Sequence, residues 1–397
     1  MLIYFLQKGY FVNNQIWEKY NIFRNRFVLS TLPFLDEFGW DQEYGGLVES
    51  ISREGRAGNE DFRRVMVHAR QLFVFSKWGH KTFNSDFVKK ADKIFEYMKQ
   101  FFWDEQYAGW RTDVNLDGGS NESSKNLYAH AFVLFGLVQY RITLDRVEAE
   151  KWIDETVKII EEKFQRTDGS YREEMTREFE DKLGHQRNQN PHMHLLEASL
   201  LLYEQTQDRR TFKLAKRLLK LFETRFLHPG ELVIREYLDK KFQPNASIGH
   251  KIEPGHHYEW AWLLNWAATI FEEDKYRIDG GRLLKKALEF GWDSSFGGVY
   301  DQVDCRNFEV LLTSKRLWPL LELIKALMVF PNEGNLLKGC SAIDILLDKY
   351  LHEGGVWTER LSQDWKTMEG FMPVSSGYHL GMALIAVEEF VESNIGE

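Results

Sequence analysis

The sequence predicts an all-α fold, an (α/α)6 barrel (toroid) with short hairpins and loops at one rim. Three observations predict it. A Gly-centred, aromatic-rich segment recurs six times, around Gly46, Gly109, Gly169, Gly230, Gly298 and Gly355, with steps of 63, 60, 61, 68 and 57 residues. About twenty residues after each, a second landmark opens a strongly apolar helix: His68, His130, His194, His256, Trp318 and His379, spaced by 62, 64, 62, 62 and 61. Between successive apolar helices lies a one-faced helix with Lys and Glu opposite its apolar stripe.

Each Gly segment reads as a turn flanked by short alternating runs, hence a small hairpin or loop. The one-faced helices are expected at Gln15–Leu35, Asp86–Phe101, Val147–Phe164, Arg210–Phe226 and Gly281–Phe290. Helices apolar nearly all round belong inside and half-polar ones outside. Six inner helices ringed by six outer ones close a single domain over residues 1–397. An open solenoid is the alternative. It is disfavoured because the first helix is outer-type and the last inner-type, with no polar cap. In the closed arrangement the six landmarks are expected to face one shared cavity.

Bulk properties narrow the function. A chain of 397 residues with 43% hydrophobic and 28% charged residues is globular. A net charge of −9 argues against nucleic acid or anionic membrane as the main partner. No stretch approaches the roughly 20 apolar residues of a membrane span, and the apolar start Met1–Leu6 is too short for a signal peptide. With only Cys305 and Cys340 there is no disulfide framework or zinc-type cluster. The expectation is a cytoplasmic protein, monomer or homodimer, acting on a small molecule. Thirteen tryptophans suit either a bulky helical core or a pocket for a sugar or other ring.

The stretch Glu253–Leu264 carries the strongest chemical signal. A Pro-Gly turn is followed by His256-His257 and a tryptophan-rich apolar run. His256 and Glu259, three apart, share a helical face, so Glu259 is expected to orient His256 or share its proton. Imidazoles are matched to proton transfer near neutral pH, and His256 and His379 from different inner helices form a candidate acid/base pair. Arg70 offers a fixed cation for a developing oxyanion. Metal binding is a weaker reading: the two rings of His192-Met193-His194 point to different faces of a helix, and there is no HExxH. Paired carboxylates for glycoside hydrolysis are also weaker. Asp41, Glu43, Asp104, Glu105 and Asp293 fall in the repeated loops, where Asp beside Gly serves the turn. His80, His185, His228, His250 and His352 are expected in loops or on the surface.

Over nearly the whole chain the sequence resembles the N-acylglucosamine 2-epimerase superfamily. The most specific segments are VMVHARQLFVFS, LYAHAFVLFG, NPHMHLLEASL, EPGHHYEWAWLL, KRLWPLLELIKAL and SSGYHL. The resemblance implies the (α/α)6 barrel and a sugar isomerase or 2-epimerase acting on an open-chain aldehyde with no metal or redox cofactor. It implies His256 and His379 as the acid/base pair, Glu259 as the carboxylate one turn on, and Arg70 on substrate oxygens. Tyr128, Asn190 and His194 match substrate-binding positions, Trp318 a pocket wall, and Glu322 a pocket glutamate found chiefly in epimerases. Epimerase branches usually place an arginine shortly after the last histidine. Here Leu380-Gly381-Met382 follows, more like the aldose–ketose isomerases of mannose or sulfoquinovose. A non-catalytic barrel that binds carbohydrate or protein is the rival from another class.

Overall fold

The computed structural model describes residues 2–119, 123–182, 187–228 and 230–394, with side chains from residue 12 onward. The inner helices are α3 (Val65–Lys81), α5 (Leu127–Leu144), α7 (Gln189–Thr206), α9 (Pro254–Phe271), α11 (Leu317–Val329) and α13 (Ser376–Asn394). The outer set comprises α1 (Leu2–Arg26), continued through a π-turn into α2 (Leu32–Phe38), then α4 (Ser85–Tyr97), α6 (Ala149–Ile159), α8 (Arg209–Leu221), α10 (Asp274–Gly291) and α12 (Glu333–Ile345). Each inner helix packs on the next, and α13 packs on α3, so the ring closes and the solenoid is excluded.

Local chemistry sets the helix ends. The side chains of Asn84, Asp208 and Asn332 accept N–H groups at the starts of α4, α8 and α12, and Asn126 and Asn188 do so for α5 and α7. Pro254 opens α9, where a missing N–H costs nothing. Helix α5 has the length and apolarity to cross a bilayer by composition alone. Here that character serves burial inside the barrel.

Short strands tie the rim into a second ring. The strand before each inner helix pairs with one from the following repeat: Phe62–Arg64 with Asp113–Asn115, Lys125–Asn126 with Glu174–Met175, and Arg187–Asn188 with Tyr237–Leu238. Lys251–Ile252 pairs with Gln302–Asp304, Lys315–Arg316 with Arg360–Leu361, and finally Phe371–Pro373 with Ser50–Ser52. Of the six repeat glycines, five sit at positive φ; at Gly230 the turn instead places Leu232 at φ +55°. Gly355 is required for a second reason, because a Cβ there would lie 2.3 Å from the backbone of Ser30.

The histidine landmarks divide into two groups, which corrects the expectation that all face one cavity. His68 and His130 are fully buried under the hairpins. Each ring accepts a backbone N–H through Nε2, from Leu47 at 2.8 Å and Trp110 at 3.1 Å. Nδ1 meets the carbonyl four residues back, Arg64 or Asn126. In the next two repeats this fastening role falls to His192, receiving Tyr171 N–H, and His257, receiving Ile234 N–H. Their rings pack on Phe102, Phe164, Phe226 and Phe290 from the outer layer. Burial holds all four imidazoles well below the usual range, to about 3 for His68 and His130 and about 4 for His192 and His257. His80 is exposed, and His228, His250 and His352 are half-buried. His185 lies outside the described residues.

Candidate active site

Counting along the inner helices explains which residues reach the axis. The sixth residue of α3, α5, α7, α9 and α11 is Arg70, Phe132, His194, Glu259 and Glu322. In the last repeat the equivalent start is Val374, whose N–H bonds Glu49 O as Leu317 N–H bonds Glu359 O. The sixth residue from Val374 is His379. Second positions supply the upper wall: Met66, Tyr128, Asn190, Trp318 and Ser375. All of these sixth and second residues except Phe132 and Glu322 line a cavity of about 380 Å³ at the hairpin rim, together with His256, Glu236, Tyr237, Glu253, Arg64, Arg316 and Glu359. A groove of similar volume between α5, α6 and α7 has no converging histidines.

Every residue assigned from the sequence to catalysis or substrate binding lines this cavity except Glu322, which stands behind His379. His256 and His379 share the cleft: their rings lie 5.0 and 6.0 Å from that of Trp318. Their electrostatic surroundings are opposite. Burial opposes charge on both. At His256, Glu236 brings its oxygens to 3.1 and 3.0 Å from Nδ1 and lifts the ring to about 9. At His379 burial prevails over Glu322, whose Oε1 lies 2.8 Å from Nδ1, and the neighbouring Arg70 adds to it, leaving the ring at about 4. In each ring Nδ1 is engaged by a carboxylate and Nε2 is left for a ligand.

Glu259 does not orient His256. His256 lies in the first turn of α9 and directs Nδ1 to the hairpin residue Glu236. Glu259, on the same face but a turn deeper, has an oxygen 3.7 Å from Nδ1 of His194. Burial, reinforced by nearby Glu322, pushes its carboxyl well up, favouring the neutral acid. His194 directs Nδ1 to Glu197 at 3.0 Å, and Glu197 also accepts the hydroxyl of Tyr378. His194, Glu197 and Glu259 bring three potential metal ligands within 4.8 Å. With Nδ1 of His194 bonded to Glu197, and Arg70 and Lys325 close enough to influence the group, the cluster reads as a hydrogen-bonded layer.

Arg70 stacks over Phe132, 4.1 Å to the centroid, and donates to the Tyr128 hydroxyl at 2.9 Å. Arg70 Nε, Asn190 Oδ1 and Glu259 Oε1 are buried without a hydrogen-bond partner among the described residues, an unmet capacity of the kind that a bound ligand or water satisfies. Glu359, a further lining residue, accepts Ser376 Oγ at 2.7 Å and is pushed by burial to about 7.

Sequence reasoning missed Glu236, Glu253, Arg316 and Glu359. A signal was present: the hairpins carry Glu49, Glu173, Glu236, Asp301 and Glu359 at matching positions, with Thr112 in the second repeat. It was obscured by Asp41, Asp104 and Asp293 in the same loops, which do serve turns, accepting N–H groups two and three residues on.

A helical toroid that brings two histidines in contrasting electrostatic surroundings to one aromatic wall, with a stacked arginine beside them, can hold a proton donor and a proton acceptor against one small ligand. Comparison with known proteins agrees. The family model of N-acylglucosamine 2-epimerase (GlcNAc 2-epimerase) matches residues 45–383, and the chain belongs to that family. It is 28% identical to a protein named mannose-6-phosphate isomerase from Rhizobium meliloti, over 91% of this chain and 94% of that one. It is 26% identical to a cellobiose 2-epimerase of Dictyoglomus turgidum, over 65% and 66% respectively. A crystal structure of D-mannose isomerase superposes with a TM-score of 0.84 at 21% identity, covering 93% of this chain and 97% of the other.

Proposed function

We propose that the protein interconverts an unphosphorylated aldose and its ketose, mannose and fructose first, by proton transfer through a cis-enediolate. The observation that carries this reading is the pair of imidazoles around Trp318, one held cationic by Glu236 and the other neutral by burial. His256 gives its Nε2 proton to the ring oxygen as the sugar opens and takes the proton of the anomeric hydroxyl O1, so that the imidazole is cationic again. His379 Nε2 then takes the proton from C2 and returns it to C1, while His256 gives its proton to O1 and takes the one leaving O2. Negative charge developing on the enediolate oxygens is met by Arg70 and His256. Delivery to the opposite face of C2 gives the 2-epimer, so the epimerase outcome is a second product of the same machinery, favoured by the likeness to cellobiose 2-epimerases.

Charge at the mouth supports a neutral sugar. Arg64 is paired with Glu49 at 2.6 Å, and Arg316 with Glu253 at 2.8 Å and Asp301 at 2.9 Å. Among the described lining residues Arg70 is the remaining fixed cation, deep in the cavity. A phosphate would meet no unpaired mouth arginine, although one relative is named for a phosphorylated sugar. A cytoplasmic, monomeric or homodimeric protein is part of the proposal.

The test is incubation with mannose, fructose, glucose, N-acetylmannosamine, cellobiose and mannose 6-phosphate, followed by chromatography. Mannose–fructose interconversion is expected, with mannose 6-phosphate much slower. Conversion of cellobiose alone would move the assignment to epimerase. His379→Ala should also stop exchange of the C2 proton with solvent deuterium, and normal exchange would refute the role given to His379.

A further inference from the structure

The ninth residue of each inner helix forms the layer beneath the site: Phe73, Phe135, Glu197, Trp262, Lys325 and Met382, the last counted from Val374. Apolar side chains fill the layer except at Glu197 and Lys325. Both charged residues reach upward toward a cavity histidine. Glu197 bonds His194. Lys325 lies 2.7 Å from Glu322 Oε2, while Oε1 of the same carboxylate lies 2.8 Å from Nδ1 of His379.

Lys325 is completely buried. Its ammonium packs on the ring of Trp262, 3.9 Å to the centroid. Trp262 lines a separate cavity of about 310 Å³ toward the other end of the barrel, with Phe73 and Phe135, and Lys325 lines neither cavity. Burying an ammonium is costly, and an apolar side chain would serve packing as well or better. The layer therefore has no packing reason for a lysine. Its other charged or titratable neighbours are Glu197 on α7, Glu259 on α9 and His379 on α13; Arg70 on α3 and Tyr378 on α13 complete the set around the histidine, and Glu197 in turn holds His194 on α7.

We propose that Lys325 is a positioning residue for the reaction: its ammonium fixes the Glu322 carboxylate against Nδ1 of His379, so that Nε2 stays unprotonated and aimed at the sugar. This rests on the reading of His379 as the base. The electrostatics agree in direction. Despite burial, Lys325 and the bond to His379 hold Glu322 down to about 2, and Lys325 also lowers His379.

The test compares Lys325→Met and Lys325→Arg with the native enzyme in kcat, KM and pH profile. In Lys325→Met, kcat at pH 7 should fall about ten-fold or more with KM little changed. The acid limb of kcat should move up by about one pH unit, because a cation that disfavoured imidazolium is gone. Lys325→Arg should recover part of both. A folded Lys325→Met with native kcat and profile overturns the proposal. Should that variant fail to fold by circular dichroism, ¹⁵N spectra of His379 in the native protein decide: a neutral ring protonated on Nδ1 at pH 7 supports it, and a cation or an Nε2–H tautomer overturns it. An inactive His379→Ala beside a native-like Lys325→Met rejects this inference alone; an active His379→Ala rejects the reading beneath it.

Discussion

Glu236 grips Nδ1 of His256 with both oxygens, at 3.1 and 3.0 Å, although the two residues belong to different structural layers, a rim hairpin and an inner helix. In the proposed mechanism that contact suits His256 to act as the acid and leaves His379, which has no comparable excess of negative charge, as the base. Glu236→Gln should therefore lower the pKa of His256 from about 9 toward its ordinary 6.5. The alkaline limb of activity moves to lower pH, and the loss is larger at pH 8 than at pH 6. Equal losses at both pH values would show that Glu236 acts otherwise.

The proposed mechanism needs His379 neutral and His256 protonated. With rings at about 4 and about 9, kcat/KM should be bell-shaped with limbs near those values. Glu359, at about 7, lines the cavity and bonds the hydroxyl of Ser376. Its replacement by Gln should alter KM near pH 7 and leave the outer limbs in place. Initial rates from pH 4 to pH 10 check both statements.

Adjacent histidines should fail in different ways. His256→Gln removes the acid and should reduce kcat by about 100-fold or more with little change in melting temperature. His257→Leu strands the N–H of Ile234 in the core and should cost about 1–3 kcal/mol of stability. Its cavity is unchanged, so activity below the new melting transition should stay within a few-fold of native. Reversal of the two phenotypes would place the helix register one residue away from that described.

The four fastening histidines make stability fall in acid. Their folded pKa values, about 3 to 4, lie below the unfolded value near 6.5. As pH falls through 6.5 the unfolded chain takes up protons that the folded chain refuses. The contribution is therefore complete above about 6.5 and lost toward 4, by about 1.4 kcal/mol per pH unit for each histidine. His256 has the opposite sign, contributing below about 6.5 and losing that contribution as pH rises through 9. Melting curves at pH 7, 6 and 5 should show a steepening decline. A flat melting temperature across that span would rule out the neutral buried rings.

Much of this was written in the order of residues. Two markers keeping one period of about sixty dictate the barrel, because six apolar helices have nowhere to bury themselves but against each other inside six one-faced ones. Arg70, Glu259 and His379 are legible by residue type and by the family resemblance, and His194 and Glu322 through that resemblance; that all five share one layer around the axis, each at the sixth position of its inner helix, emerges only with the helix starts. Tertiary structure alone decided which histidine does what. Neighbours on a helix differ by about 100° in direction, so His256 and His257 look alike in the chain yet one meets a sugar-sized cavity and the other a hairpin amide. It also decided that Glu236, from a hairpin, and not Glu259 from the same helix, partners His256, and that Lys325 stands behind Glu322 in the dark of the core. A carboxylate's effect depends on distance and on the exclusion of water, and neither is set until the ring of helices has closed.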